Sequence, residues 1–323
     1  MPCGLYPATQ DYVLVTNQGV AFPQQFDGQS AEYLLWREHR LQQQNTAPAL
    51  TMLSPRLDQA EDLPALQSLC RTVRNVGFAV YQWSQPSDDA SRDVMLLHDA
   101  LSLRSFDTGV VHDDDGLSLL TDLSGTSQGR FIPYTKRAMG WHTDGYYNTM
   151  EQSLHCFTIH CISPAHSGGA LTLLDNQLML IALFDTNPEL VTLLSHPQAM
   201  MLPANRDELG HDRPARYSPV LFIRADGTPG AHFTTRTKNI EWRSSDTLDA
   251  ALRMKKLIDQ HPRWHHTVTL QCGQGVITRN VLHRREAYTD HPDAPRKMLR
   301  GRYLHSPVIL RDGASSSING TRS

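Results

Sequence analysis

The chain has 323 residues, 40% hydrophobic and 20% charged, with a formal net charge of −3, so it can bury a sizeable core and has no charge excess favouring nucleic acid or a membrane surface as partner. Its first residues form neither a basic nor an apolar segment, and its densest apolar run, 178–184, is too short to cross a bilayer, which argues against a signal peptide and a membrane span. The five cysteines include no C-x-x-C pair, which argues against a disulfide framework or a zinc ribbon and favours a cytoplasmic protein.

Composition and periodicity divide the chain into three parts. Residues 1–55 show no clear period, and we expect an N-terminal extension that packs on the core or leads into it. Residues 56–310 are expected to form the main domain. Residues 311–323, rich in serine and glycine, are expected to form a flexible tail.

Helical spacing of apolar residues recurs along the main domain. Leu66, Leu69 and Val73 lie between Asp62, a suitable N-cap, and Gly77, a suitable stop, and predict the first helix. Further helices are predicted within 91–104, 177–185, 188–195 and 246–259.

Short alternating segments predict many strands. Single strands are expected at 78–83, 155–162, 170–175 and 300–305. Two hairpins are predicted, one pairing 220–224 with 232–236 and the other pairing 265–270 with 276–283, each across a glycine-containing turn. Many short strands with a few helices indicate a mainly β barrel or sandwich with peripheral helices.

A metal-ligating pattern lies at 142–144, where the sequence reads H-T-D. A mononuclear non-haem Fe(II) site needs two imidazoles and one carboxylate, and residues i and i+2 of a strand point to one face. The same H-x-D pattern occurs at 112–114 and 291–293, but the first opens an acidic run typical of a solvated turn and the second contains a proline. Taken alone, His142 and Asp144 are better explained as a polar pair at a strand end than as metal ligands.

The complementary residues lie late in the chain. His283 ends the apolar stretch 276–283, and Arg296 follows in P-R-K-M-L-R-G-R-Y. A planar guanidinium there can clamp the distal carboxylate of a dicarboxylic co-substrate. Arg300 and Arg302 would share one face of a strand.

These motifs together are recognisable. W-H-T-D-G-Y-Y, the G-G pair at 168–169, H-F-T-T-R and N-V-L-H-R-R-E-A-Y followed by R-x-x-x-R resemble, in order and spacing, the TauD/TfdA-like family of dioxygenases over about residues 60–305. The resemblance implies a double-stranded β-helix (jelly roll) core with peripheral helices. It implies His142, Asp144 and His283 as Fe(II) ligands and Arg296 as the partner of 2-oxoglutarate. Arg300 matches a position that contacts the substrate anion in sulfonate-using members, and it remains a second candidate for holding 2-oxoglutarate.

The activity that the resemblance implies is oxidation of a small-molecule substrate by O2, coupled to decarboxylation of 2-oxoglutarate to succinate and CO2. Asp144 favours hydroxylation or desaturation over halogenation, because related halogenases carry a small residue at that position. Arg300 suggests an anionic substrate, and neither nucleic acid nor a membrane is expected as partner, whereas a homo-oligomer is compatible with the sequence. Two alternatives remain open: a zinc-dependent hydrolase or lyase using the same three ligands, and a non-catalytic binding relative.

One position departs from the family pattern. Many members carry a threonine, serine or asparagine two residues after the G-G pair, where it helps to hold 2-oxoglutarate. This chain has Leu171 there and Thr172 one residue later. Since a shift of one residue along a strand reverses the side-chain direction, either a bulge restores Thr172 to that role or the hydrogen bond is absent.

Overall fold

The computed structural model of the chain describes residues 27–44, 50–54, 57, 62–107, 116–206, 212–224, 226–236 and 240–309. The H-x-D pattern at 112–114, the predicted tail 311–323 and much of the predicted extension 1–55 lie outside these residues, and the three-part division stays a prediction. Among the described residues, no helix combines the length and apolar character that crossing a membrane requires.

The described part of the chain contains helices and many short strands. The helices are α1 (Ala31–Gln43), α2 (Leu63–Val76), α3 (Ala90–Ala100), α4 (Asn176–Thr186), α5 (Pro188–Ser195) and α6 (Ser245–Gln260). The strands are β1 (Thr51–Leu53), β2 (Phe78–Trp83), β3 (Leu117–Leu120), β4 (Met139–His142), β5 (Cys156–Ser163), β6 (Ser167–Gly168), β7 (Leu171–Leu174), β8 (Met200–Leu202), β9 (Asn205–Arg206), β10 (Asp212–Arg213), β11 (Arg216–Ser218), β12 (Leu221–Ile223), β13 (Pro229–Ala231), β14 (Glu241–Trp242), β15 (His266–Val268), β16 (Gln274–Thr278), β17 (Leu282–Arg285), β18 (Tyr288–Thr289) and β19 (Lys297–Tyr303).

The predicted helices α2 to α6 are confirmed, and their ends have local causes. Gly77 ends α2 with a φ of +95°, a conformation that glycine adopts without strain. The side chain of Ser244 caps α6 by accepting a hydrogen bond from the Thr247 amide. We found no helical period in residues 1–55, and this was wrong for α1. The apolar contact surface of that helix is little more than Tyr33 and Trp36. Two aromatic residues on an otherwise polar helix give too weak a period to detect.

Two sheets form the centre of the fold. The larger has six strands in the order β1-β2-β16-β5-β19-β3, and the smaller has four in the order β15-β7-β17-β4. Side chains from both pack into one cluster, in which Phe157 and Val276 of the larger sheet meet Leu173 of the smaller. This face-to-face arrangement is the jelly roll that the sequence predicted.

Helices cover the outer faces of both sheets. Leu69 of α2 and Leu97 of α3 pack against Tyr81 on the six-stranded sheet. The helices α4, α5 and α6 pack against the four-stranded sheet through a cluster that includes Trp141 and Leu282. In the described part of the chain, the two central sheets therefore face each other and helices pack on their other sides.

The predicted hairpin of 265–270 with 276–283 is wrong. The strand β15 pairs with β7 in the four-stranded sheet, whereas β16 pairs with β2 and β5 in the six-stranded sheet. The stretch 276–283 is interrupted at Asn280, which has a φ of +49°, and β17 then continues in the other sheet. Apolar residues lie on both sides of the interruption, at 276–277 and 281–282, so the stretch resembles one strand in the sequence.

The prediction that 220–224 pairs with 232–236 is wrong about the second strand. The strand β12 pairs with β13, which includes residues of the predicted turn. A Cβ atom at Gly230 would lie 2.6 Å from the Phe222 ring, so glycine permits this close pairing. The segment after β13 instead approaches β4, where Thr234 forms a bridge with His142.

A buried ionic cluster joins the helices to the interruption between β16 and β17. The Asp175 carboxylate caps α4 through the Gln177 amide, 3.0 Å away, and accepts hydrogen bonds from Arg279 and from Arg40 of α1. Arg279 also donates to the backbone oxygen of Arg74 in α2. Burial works to raise the pKa of Asp175, but Arg279 and Arg40 outweigh it and hold that pKa below its usual range.

Candidate metal centre and co-substrate cavity

The structure brings His142, Asp144 and His283 together. His142 and His283 pair directly across the neighbouring strands β4 and β17. The His142 Nε2 atom lies 3.6 Å from Asp144 Oδ1, and the His283 Nε2 atom lies 3.7 Å from the same oxygen. One ligand atom from each residue lies within 4.8 Å of the others, a spacing suited to a single metal ion.

Asp144 reaches this position from a turn. The argument from residues i and i+2 had assumed that Asp144 lies on a strand. The strand β4 ends at His142, and Gly145 turns the backbone with a φ of +65°. A Cβ atom at Gly145 would lie 2.7 Å from a Leu154 methyl carbon, so the turn requires glycine on two grounds.

Both imidazoles are oriented by backbone oxygens. The Nδ1 atom of His142 donates to the Gly140 oxygen at 2.8 Å, and Nδ1 of His283 donates to the Val281 oxygen at 3.0 Å. Because a carbonyl can only accept, the proton is on Nδ1 and the Nε2 lone pair is available to a metal. Nε2 of His142 and Oδ2 of Asp144 are buried without a hydrogen-bond partner, so both atoms are available to coordinate a cation.

The protonation states also suit a metal site. Burial, followed by the neighbouring His142, lowers the pKa of His283 to about 3, which leaves its imidazole neutral at neutral pH. Burial alone would raise the pKa of Asp144. The guanidinium of Arg300, 3.5 Å from Asp144 Oδ2, and the two histidines outweigh that effect and hold the carboxylate ionised.

Asn280 fixes the backbone of the Asp144 turn, a contact that sequence reasoning missed. Its side-chain oxygen accepts a hydrogen bond from the Asp144 amide at 3.0 Å, and its side-chain nitrogen donates to the oxygens of Asp144 and Leu154. The backbone oxygen of Asn280 in turn accepts a hydrogen bond from Asn176. The signal in the sequence was Asn280, which follows Thr278 and Arg279 and separates the apolar residues at the two ends of 276–283.

An open cavity with an empty volume of about 690 Å³ lies between the two sheets beside these ligands. Arg285, Arg296 and Arg300 line it together with Asp144 and His283, and the rest of the wall is mainly apolar. The three guanidiniums make the cavity electropositive, which favours anionic ligands.

Arg300 and Arg302 share one face of β19, as their spacing predicted. Arg300 lines the cavity, and its Nε atom is buried without a hydrogen-bond partner. Arg302 donates to the Tyr147 hydroxyl at 2.7 Å and forms an ion pair of 2.8 Å with Asp107. Arg300 therefore has donor capacity left for a ligand, whereas the charge of Arg302 is compensated by Asp107.

Arg296 is only 5% exposed, and its Nε and Nη1 atoms are buried without hydrogen-bond partners. Its guanidinium carbon lies 5.0 Å from the centre of the Tyr288 ring. Gly169 of the G-G pair lies next to this guanidinium, because a Cβ atom at Gly169 would lie 3.5 Å from Arg296 Nε. A buried cation with unused donors fits the carboxylate-binding role expected from the sequence.

Leu171, and not Thr172, faces the cavity. Leu171 lies directly opposite Arg285 in the pairing of β7 with β17, and the register runs without a bulge through 171–174. The Thr172 hydroxyl is 3.1 Å from that of Thr267 on the neighbouring strand. Of the two alternatives, the structure supports the one in which the family's hydrogen bond to 2-oxoglutarate is absent.

His265 and His266 lie on opposite faces, with the His265 ring 5.0 Å from Trp141 and the His266 ring 5.2 Å from Phe78. They therefore do not form a joint metal site.

Comparison with known proteins agrees with this geometry. The model of the taurine catabolism dioxygenase TauD, TfdA family matches residues 73–302. A uridine-5'-phosphate dioxygenase from Streptomyces sp is 31% identical over 206 residues, covering 60% of this chain and 71% of the relative. A second, from Amycolatopsis sp, is 27% identical over 174 residues, covering 52% and 61%.

Solved structures share the fold. An asparagine oxygenase in complex with Fe(II), 2S,3S-3-hydroxyasparagine and succinate superimposes with a TM-score of 0.57 at 16% identity, covering 83% of this chain and 89% of that one. The non-heme iron oxygenase OrfP, in complex with Fe and alpha-ketoglutaric acid, superimposes with a TM-score of 0.56 at 14% identity, covering 80% of this chain and 94% of that one.

The predicted family, fold and enzyme class are confirmed. The chain belongs to the TauD/TfdA dioxygenase family and is an Fe(II)- and 2-oxoglutarate-dependent oxygenase that acts on a small molecule.

Proposed function

We propose that His142, Asp144 and His283 hold Fe(II), that Arg296 binds the distal carboxylate of 2-oxoglutarate, and that the enzyme oxidises an anionic small molecule. One observation carries the proposal. The three ligand atoms lie within 4.8 Å of one another beside a cavity that also contains a buried guanidinium with unused donors. A zinc hydrolase would have no use for that guanidinium.

The side chains have separate tasks in this proposal. The oxygens of Gly140 and Val281 orient the two imidazoles, and Asn280 fixes the turn that carries Asp144. Arg296 positions the co-substrate, and the apolar wall restricts water. The iron, when bound, supplies the activation of O2 that couples conversion of 2-oxoglutarate to succinate and CO2 with substrate oxidation.

Anaerobic titration followed by visible absorption tests the ligand assignment. We expect a weak charge-transfer band in the wild type only when Fe(II) and 2-oxoglutarate are both present. Arg296→Gln is expected to weaken 2-oxoglutarate binding by about 10- to 100-fold, the effect of losing a charged hydrogen bond, with Fe(II) affinity unchanged. Absence of the band, with tight zinc binding instead, would favour the hydrolase. A band unaffected by Arg296→Gln would transfer the co-substrate role to Arg300.

The charge of the cavity supports an anionic substrate. Asp144 is the only carboxylate among the described residues that line the cavity, and three guanidiniums face it. Two curated relatives are uridine-5'-phosphate dioxygenases. We infer that the substrate is a phosphate monoester and that Arg300 binds its anionic group.

Turnover of uridine 5'-phosphate against uridine tests this inference. We expect the wild type to prefer uridine 5'-phosphate in kcat/KM, and Arg300→Ala to lower kcat/KM for the phosphate by about 10- to 100-fold while leaving the value for uridine nearly unchanged. Fe(II) binding is measured in parallel, because Arg300 also contacts Asp144. An unchanged preference in Arg300→Ala would contradict the assignment.

We also propose that the protein is cytoplasmic. The cysteines Cys70, Cys156, Cys161 and Cys272 are all free thiols, which is typical of proteins kept in a reducing compartment. Cell fractionation with an antibody against the chain tests this location. Recovery in an oxidising extracellular fraction would contradict it.

A further inference from the structure

The departure at Leu171 leads to a second carboxylate-binding residue. Leu171 stands where relatives place a hydroxyl for 2-oxoglutarate, and Arg285 lies directly opposite it on β17. We propose that Arg285 binds the distal carboxylate of 2-oxoglutarate together with Arg296, and so replaces the missing hydroxyl with a second guanidinium. This inference rests on the proposed function.

The position of Arg285 follows from strand parity. Arg285 lies two residues after His283, so both side chains point to the inward face of β17, and both line the cavity. The guanidinium carbons of Arg285 and Arg296 each lie 5.0 Å from the centre of the Tyr288 ring. The two cations therefore lie near one aromatic ring, and burial followed by the charge of Arg296 lowers the pKa of Arg285 to about 10.

Arg285 is held in place without being neutralised. Its terminal nitrogens donate to the backbone oxygens of Pro133 at 3.3 Å and Thr135 at 2.7 Å, and to that of Arg137. Carbonyl oxygens fix the guanidinium plane but carry no net charge. The Nε atom of Arg285 is buried and has no hydrogen-bond partner.

Among the described residues, neither cation has a carboxylate within ion-pair distance. Arg285 is 6% exposed and Arg296 is 5% exposed. Burying two like charges side by side is unfavourable unless an anion joins them. The distal carboxylate of 2-oxoglutarate supplies that anion, since Arg296 is already its proposed partner.

A purely structural role for Arg285 makes a different prediction. If the side chain only ties the segment 133–137 to β17, its removal should affect every ligand of the cavity alike. If it binds the distal carboxylate, removal should affect only ligands that carry this group. A comparison of 2-oxoglutarate with 2-oxovalerate, in which a methyl group replaces the distal carboxylate, separates the two roles.

The experiment measures binding of both 2-oxo acids to the Fe(II)-loaded protein without oxygen, by absorption titration and calorimetry. We expect Arg285→Gln to weaken 2-oxoglutarate by about 10- to 100-fold and 2-oxovalerate by less than about 2-fold. Arg285→Lys, which keeps the charge, should lose less, and it carries the test if the glutamine variant does not fold. Arg284→Gln is the matched control, because Arg284 lies on the outer face of β17, 5.0 Å from the Trp141 ring.

Each outcome has one meaning. Selective loss of 2-oxoglutarate binding in the Arg285 variants supports the two-arginine site. Equal weakening of both acids, or no weakening of either, overturns it in favour of a structural role. Failure of the wild type to bind Fe(II) and 2-oxoglutarate together would instead reject the proposed function itself, so the two failures are distinguishable.

Discussion

Replacement of His283 with alanine is expected to abolish tight Fe(II) binding and, with it, conversion of 2-oxoglutarate to succinate. In the proposed site the imidazole is one of three ligands, and its Nε2 atom is oriented by the hydrogen bond from Nδ1 to the Val281 oxygen. Loss of an outer partner of a metal ligand already costs about 10- to 100-fold in metal affinity or activity, so removal of the ligand should exceed about 100-fold. Iron content and succinate release measure the two effects.

The matched control for this prediction is His291→Ala. His291 belongs to the other described H-x-D sequence, and its side chain is 55% exposed, 4.0 Å from Asp293. We expect that variant to retain both iron and turnover. Wild-type iron content in His283→Ala, with folding verified by circular dichroism, would contradict the assignment of His283 as a ligand.

Asp175→Asn is expected to lower the free energy of unfolding by about 3–5 kcal/mol, the effect of removing one partner from a buried ion pair. The substitution leaves Arg40 and Arg279 buried without their counter-charge. Chemical denaturation of the metal-free protein at neutral pH measures the change. The control is Asp185→Asn, whose pair with Arg37 is partly exposed and should contribute about 1 kcal/mol or less.

The pH dependence of this difference has a definite sign. Because the pKa of Asp175 is lower in the folded protein than in the unfolded chain, its carboxylate stabilises the fold fully above the unfolded pKa of about 3.9. That stabilisation is lost as the pH falls from there through the folded pKa. The stability gap between wild type and Asp175→Asn should therefore stay constant near neutrality and shrink only below about pH 4. A gap that shrinks between pH 8 and 6 would contradict this account.

Local signals in the sequence were sufficient for most helices. Asp62, Gly77 and the apolar spacing between them located α2 because caps and periodicity act within a few residues. The same reasoning missed α1, whose stability comes from packing Tyr33 against Phe184, with ring centres 4.7 Å apart. That contact joins distant parts of the chain and leaves no local pattern.

Strand pairing shows the same limit. The spacing of the late segments suggested a hairpin, but the interruption at Asn280 sends β16 and β17 to different sheets. The three proposed ligands were predicted because their motifs resemble a known family. Arg285 was not predicted as a binding residue. Its proposed role depends on lying opposite Leu171, and cross-strand register cannot be obtained from either segment alone.

The interruption at Asn280 has a consequence for how the protein assembles. The residue joins the two sheets covalently, and its side chain holds a turn 136 positions earlier in the chain. Loop closure over such separations is slow, and folds dominated by distant contacts form in milliseconds to seconds. The residues proposed to hold iron converge only once β4 has paired with β17, so iron is not expected to nucleate folding. We expect iron added during refolding to leave the folding rate unchanged and to enter afterwards, through the open side of a preformed cavity.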